Sequence, residues 1–175
     1  MTPNLLSSLE QTAAGMQMAY PESVITYLDA NFPFINGFPM LPHLSHNNGK
    51  KLDLAFFYNE KKSGEALNHY SPSWIGYGVF EEPKGKEVNT PEFCRAHGYF
   101  QYSILSWITS QSQSDLVDFD NKRTQFLIRL FVADSNVKKI FIEPHLKQRL
   151  NLTSNKIRFH GCGSVRHDDH IHIQL

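Results

Sequence analysis

The sequence predicts an α+β domain built on a central, mostly antiparallel sheet flanked by helices. Three observations carry this expectation. Residues 51–58 alternate, with Leu52, Leu54, Phe56 and Tyr58 on one side and Asp53, Ala55 and Phe57 on the other. Residues 169–174 alternate again, with Ile171 and Ile173 opposite His170 and His172. Between them Phe126, Leu127, Leu130 and Phe131 recur at i, i+1, i+4, i+5, the stripe of a core-facing helix. Such a mixture of strands and helices reads as α+β.

Taken in order, residues 3–19 and 21–31 read as two short helices, the second opened by Pro21-Glu22 and striped by Val24, Ile25 and Leu28. Residues 32–48 hold three prolines, Gly37, Asn47 and Asn48, and read as a loop that delivers His43 and His46. Residues 51–58 are the clearest strand of the first half. Residues 59–73 are polar and turn-rich, a surface excursion, and residues 74–80 allow a strand. Residues 81–92 read as a loop and 91–108 as a helix with Phe93, Tyr99, Phe100, Ile104 and Trp107 as core candidates. Asp118 or Asp120 can cap the helix 121–134. Residues 137–143 form a strand, and Pro144 opens a short helix to Leu150. Residues 156–160 and 169–174 are the last two strands, with Gly161 and Gly163 in the turn between them. No repeat or linker divides the chain, so residues 1–175 read as a single domain.

Composition narrows the function classes. Hydrophobic residues make up 41% of the 175 and aromatic residues 13%, enough for a proper core. Seventeen basic residues balance seventeen acidic ones, so no basic face is implied and nucleic acid is not an expected partner. No apolar run reaches the roughly 18–20 residues of a membrane span. The N-terminus lacks the basic and apolar regions of a signal peptide. Cys94 and Cys162 allow one disulfide or two free thiols, and composition leaves both open.

Three of nine histidines fall in the last nine residues, His167, His170 and His172. His170 and His172 share one face of a strand, while Ile171, Ile173 and Leu175 point to the core. Upstream, a turn at Asn47-Asn48-Gly49 can fold His46 back beside Asp53. His46, Asp53 and His172 would give zinc three ligands and leave a fourth position open. Spacing alone leaves two readings standing, a metal site and a set of polar surface histidines. His69, His97, His145 and His160 read as surface or packing histidines.

The stretch Ser45-His46-Asn47-Asn48-Gly49-Lys50-Lys51-Leu52-Asp53-Leu54 resembles the signature of the LAS zinc peptidases, which group lysostaphin-type enzymes, D-Ala-D-Ala peptidases and the hedgehog signalling domain. The order strand 137–143, helix, strand 156–160, glycine turn and His167-Asp168-Asp169-His170-Ile171-His172 is similar to the penicillin-insensitive murein endopeptidases within that group. The likeness covers about 43–56 and 122–175; residues 59–120 carry none.

The resemblance implies a hedgehog/DD-peptidase-like fold and one zinc ion per chain, held by His46, Asp53 and His172. It implies hydrolysis of peptide bonds in bacterial cell-wall peptidoglycan, with zinc-bound water attacking the scissile carbonyl. His167 and His170 match the catalytic histidines, His167 as base and His170 as oxyanion donor, or the reverse. Asp168 or Asp169 would orient one of them. The partners implied are peptidoglycan peptide stems, and the place implied is the periplasm or the cell exterior. The same ligand set also fits a catalytically inactive zinc-containing binding module, as in the hedgehog domain.

Overall fold

A computed structural model of the chain describes residues 1–30, 48–73, 76–102 and 115–175. His43, His46, Trp74, Ile104 and Trp107 lie outside the described residues.

Helix α1 spans Pro3–Ala19. The Thr2 hydroxyl accepts the Leu5 N–H at its start, and Pro3 occupies a first-turn position that needs no donor. Its buried face is Leu5, Ser8, Thr12 and Met16. The second helix expected at 21–31 is absent. Glu22 adopts a positive φ of 71°, and Tyr27–Asp29 forms strand β1. The β-branched run Val24-Ile25-Thr26 favours extended chain here, and the Thr26 carbonyl accepts the Ala55 N–H at 2.9 Å.

The expected strand 51–58 is two strands in two sheets. β2 covers Lys51–Ala55 and β3 covers Tyr58–Glu60. The chain changes sheet at Phe56-Phe57 because the backbone of Phe57 is held elsewhere. Its N–H donates to the Thr124 hydroxyl at 3.2 Å, and its carbonyl accepts the Asp120 N–H at 2.9 Å. Phe57 is therefore a core residue and not a neighbour of Asp53 on the site face.

The excursion at 59–73 contains β4, Ala66–Leu67, which pairs with β3; β5, Val117–Phe119, pairs on its other side. Gly76–Phe80 forms no strand. The long helix expected at 91–108 is shorter. Helix α2, Thr90–Ala96, is capped by Asn89 and followed by Gly98 at φ 80°, after which Phe100–Tyr102 makes one 3-10 turn. The cap at Asp120 opens α3, Asn121–Ala133, by accepting the Arg123 N–H at 3.0 Å. Then follow β6, Lys139–Phe141; α4, Pro144–Arg149; β7, Ile157–Arg158; and β8, His170–Gln174.

The main sheet has the order β1-β2-β8-β6-β7, antiparallel except for the β6–β7 pair. One face carries Leu52, Leu54, Ile140, Ile171 and Ile173, packed in one cluster with Leu5 and Met16 of α1 and Leu127, Ile128 and Phe131 of α3. Leu175 packs against its edge. The register fixes the other face in rows. Ala55 lies beside His170; Asp53, His172 and Phe141 form the next row; Lys51, Gln174 and Lys139 form the third. No helix among the described residues is long and apolar enough to cross a membrane.

Candidate metal centre

The alternation of β8 and its central place in the sheet decide what meets at the site. His170 and His172 stand on the face opposite Ile171 and Ile173. Asp53, on the neighbouring strand β2, is the direct register partner of His172. The His172 Nδ1 lies 2.8 Å from Asp53 Oδ1, and the His170 Nε2 lies 3.7 Å from Asp53 Oδ2. His167, on the turn entering β8, brings a third imidazole. One nitrogen from each of His167, His170 and His172 lies within 4.8 Å of the others, and all three residues are buried. Such a set of imidazoles with a facing carboxylate is the donor chemistry that zinc takes. A buried His167/His170/His172 cluster can hold a metal ion.

Each of these groups is oriented by a second residue. Asp169 serves His170: its Oδ1 is 2.5 Å from His170 Nδ1, and its Oδ2 accepts the Gly78 N–H at 2.6 Å. Tyr77 serves Asp53 by donating its hydroxyl to Oδ2 at 3.1 Å, while its ring meets His170 edge-on at 5.0 Å. Gly76 and Gly78 flank it with φ of 85° and 87°, and a Cβ at Gly76 would come within 2.5 Å of the Leu28 side chain. The backbone of His167 is clamped by Glu143, whose N–H donates to the His167 carbonyl and whose Oε1 accepts the His167 N–H. Tyr102 donates to the same Oε1 at 3.0 Å.

Of the two aspartates expected to orient a histidine, Asp169 does so. Asp168 turns away and accepts two hydrogen bonds from Arg166, which also pairs with Glu82 at 3.0 Å and stacks over Phe80.

The electrostatics follow from burial. Burial pulls the His170 imidazolium down, but Asp169 and Asp53 outweigh it and raise the group to about 9. His167 is held well below its ordinary value by burial and by its two histidine neighbours. Burial raises Asp168 to about 8 against the opposing pull of Arg166, and burial also raises Glu143.

The remaining histidines separate. His145 is fully buried, with Nε2 2.7 Å from the Glu81 carbonyl, and is a packing histidine. His160 is exposed and edges the cluster, its ring 5.3 Å from His167 and 6.3 Å from His172. His97 stays on the surface, turned back to the Phe93 carbonyl. Cys94 and Cys162 are disulfide-bonded, tying α2 to the glycine turn between His160 and His167.

Tyr77, Gly78 and Glu143 were not singled out by sequence. Their partners lie 24, 91 and 24 positions away, and no local pattern marks such pairs. The hollow of about 440 Å³ beside the small sheet, lined by Leu67, Tyr70, Leu116 and Val117 among others, contains none of these groups. No protein-family model matches the chain, and no curated protein matches it.

Proposed function

We propose that the chain is a zinc metallopeptidase of the murein endopeptidase type, with a hedgehog/DD-peptidase-like fold, hydrolysing peptide bonds of cell-wall peptidoglycan. The observation that carries this reading is the convergence of Asp53, His167, His170 and His172 on one buried point of a sheet face. In this reading Asp53 and His172 hold the metal together with His46, one zinc per chain. Zinc, when bound, supplies a Lewis acid that polarises a carbonyl and brings the pKa of a water toward neutrality.

The chain's own residues supply the rest. The Asp169 carboxylate, bonded to His170 Nδ1, favours the protonated ring, so His170 is the donor to the developing oxyanion. Among the described residues no carboxylate is hydrogen-bonded to the His167 ring, and His167 is the proton acceptor. Tyr77 and Gly78 hold the two carboxylates still while this happens. The disulfide favours an oxidising compartment, in keeping with the periplasm or the cell exterior.

Product release from crosslinked muropeptides, followed by chromatography, tests the reading. Zinc-loaded protein should cleave them, and His167→Ala and His170→Ala should each lower the rate by at least about a hundredfold. Unchanged cleavage in both variants would overturn the roles given to them.

A second reading rests on the three-imidazole cluster itself. If His167, His170 and His172 all bind the metal, the proton-transfer roles given to His167 and His170 fall away, which favours a catalytically inactive zinc-containing binding module over the peptidase. Absence of any cleavage by zinc-loaded protein would favour it.

A further inference from the structure

The three imidazoles of the cluster are held in two different ways. A carboxylate meets the ring of two of them, Asp169 at His170 Nδ1 and Asp53 at His172 Nδ1. Among the described residues no carboxylate is hydrogen-bonded to the His167 ring. That ring packs against the rings of His160, His170 and His172, with centroids 5.3, 4.9 and 5.7 Å away. Ring packing directs a nitrogen less sharply than a hydrogen bond does. His167 also precedes His170, where the strand pairing of β8 begins, so the sheet does not fix its backbone.

Glu143 fixes it instead. The Glu143 N–H donates to the His167 carbonyl at 3.0 Å, and the His167 N–H donates to Glu143 Oε1 at 3.2 Å. Both backbone groups of His167 thus end on one residue. Glu143 stands at the N-cap of α4, where a polar side chain ordinarily accepts from the first turn, yet its side chain makes no cap bond. It is buried instead, where a carboxyl group is costly unless hydrogen bonds meet it. Its Oε1 accepts from both the His167 N–H and the Tyr102 hydroxyl, while Oε2 has no hydrogen-bond partner among the described residues. The side chain therefore acts through a single oxygen on two donors.

Tyr102 is buried too, at the end of the 3-10 turn that follows α2. Its N–H donates to the Tyr99 carbonyl, and the Tyr99 N–H donates to the Cys94 carbonyl, both at 3.1 Å. Cys94 is bonded to Cys162. The unit of α2 and its turn thus grips the segment entering β8 at both ends, at Cys162 by the disulfide and at His167 through Tyr102 and Glu143.

We propose that Glu143 and Tyr102 are positioning residues for His167, fixing through its backbone the direction in which its imidazole accepts a proton. This rests on the peptidase reading above and deepens it. A proton acceptor must lie within hydrogen-bond reach of its proton, and a displacement of about 1 Å costs roughly a hundredfold in rate. Oε1 only accepts, so a carboxamide oxygen serves in its place and the negative charge is dispensable.

Steady-state cleavage of crosslinked muropeptides by zinc-loaded variants tests the pair. Glu143→Leu should lower kcat by about 10- to 100-fold, with KM changed by less than about threefold and zinc content kept. Glu143→Gln should recover kcat to within about tenfold of wild type, and Tyr102→Phe should lose several-fold. Adding Glu143→Leu to His167→Ala should cost nothing further, because the residue it positions is gone. Losses that multiply in the double variant, a Gln variant as poor as the Leu variant, or an effect confined to KM would overturn the proposal. Should Glu143→Leu fail to fold, Tyr102→Phe alone and combined with His167→Ala takes its place, with the same two outcomes. A zinc-loaded wild type that cleaves nothing overturns the peptidase reading instead. The imidazole 15N–1H resonances of His167 then decide the positioning: they should move or multiply in Glu143→Leu and Tyr102→Phe and hold in Glu143→Gln, and a His167 signal indifferent to all three would overturn it.

Discussion

Asp53 and His172 face each other across neighbouring antiparallel strands, register partners with carboxylate and imidazole 2.8 Å apart. The two residues lie far apart in the sequence, and the backbone pairing of β2 with β8 fixes their meeting. Four expected outcomes follow from this pair and its surroundings.

The Tyr77 hydroxyl holds the other oxygen of Asp53. Tyr77→Phe removes that hydrogen bond and leaves the ring against His170. Zinc affinity, read by competition with a chromogenic chelator, should fall about 10- to 100-fold. An unchanged affinity would show that the hydroxyl does not orient Asp53.

Metal content of single variants separates the two ligand sets. With His46, Asp53 and His172 as ligands, His46→Ala loses zinc and His167→Ala keeps about one per chain. With the three clustered imidazoles as ligands, the pattern reverses. Asp53→Ala is expected to lose metal in the first case only. Elemental analysis of protein purified without an affinity tag gives the answer.

The Cys94–Cys162 bond closes a loop of 68 positions. Replacing both cysteines by alanine should cost about 2–4 kcal/mol. For a chain of this size that is a fall in melting temperature of about 5–15 °C. The effect should be matched by adding reductant to the wild type, and a melting point indifferent to both would contradict a structural role.

His145 is buried, and burial holds its pKa down to about 4, against 6.5 for an unburied histidine. The unfolded chain therefore takes up a proton below pH 6.5 that the folded chain refuses until about pH 4. Stability is full above pH 6.5 and is lost as pH falls through that window, by about 3 kcal/mol from this group. His145→Gln keeps a donor toward the Glu81 carbonyl and does not titrate. Urea unfolding at pH 7 and pH 4.5 should show a smaller loss in the variant than in the wild type.

Much of the site was legible because its elements announce themselves locally. The isoleucines at 171 and 173 fix which way His170 and His172 face, and Leu52 and Leu54 do the same for Asp53. The helix at 121–133 and its Asp120 cap were readable for the same reason. What failed depended on distant partners. Residues 51–58 alternate without a break, yet the strand is cut at Phe57, because Thr124 and Asp120 take its backbone groups. Val24, Ile25 and Leu28 give residues 21–31 a helical stripe, yet pairing with β2 makes Tyr27–Asp29 a strand. The two aspartates at 168 and 169 are equivalent on paper. Only the positions of Arg166 and Gly78 give one to an ion pair and the other to His170.

The order of the main sheet has a consequence for how the protein is made. β8 follows β2 and β6 in sequence and lies between them in the sheet, so both wait with open edges until it emerges from the ribosome. The hydrophobic face and the metal centre are completed in one late event that joins segments far apart in the chain, the kind of contact that closes slowly. A nascent chain stalled before residue 170 would leave β2 and β6 each with one open edge and expose Ile140, Leu52 and Leu54 together, a target for holding chaperones and a seed for aggregation.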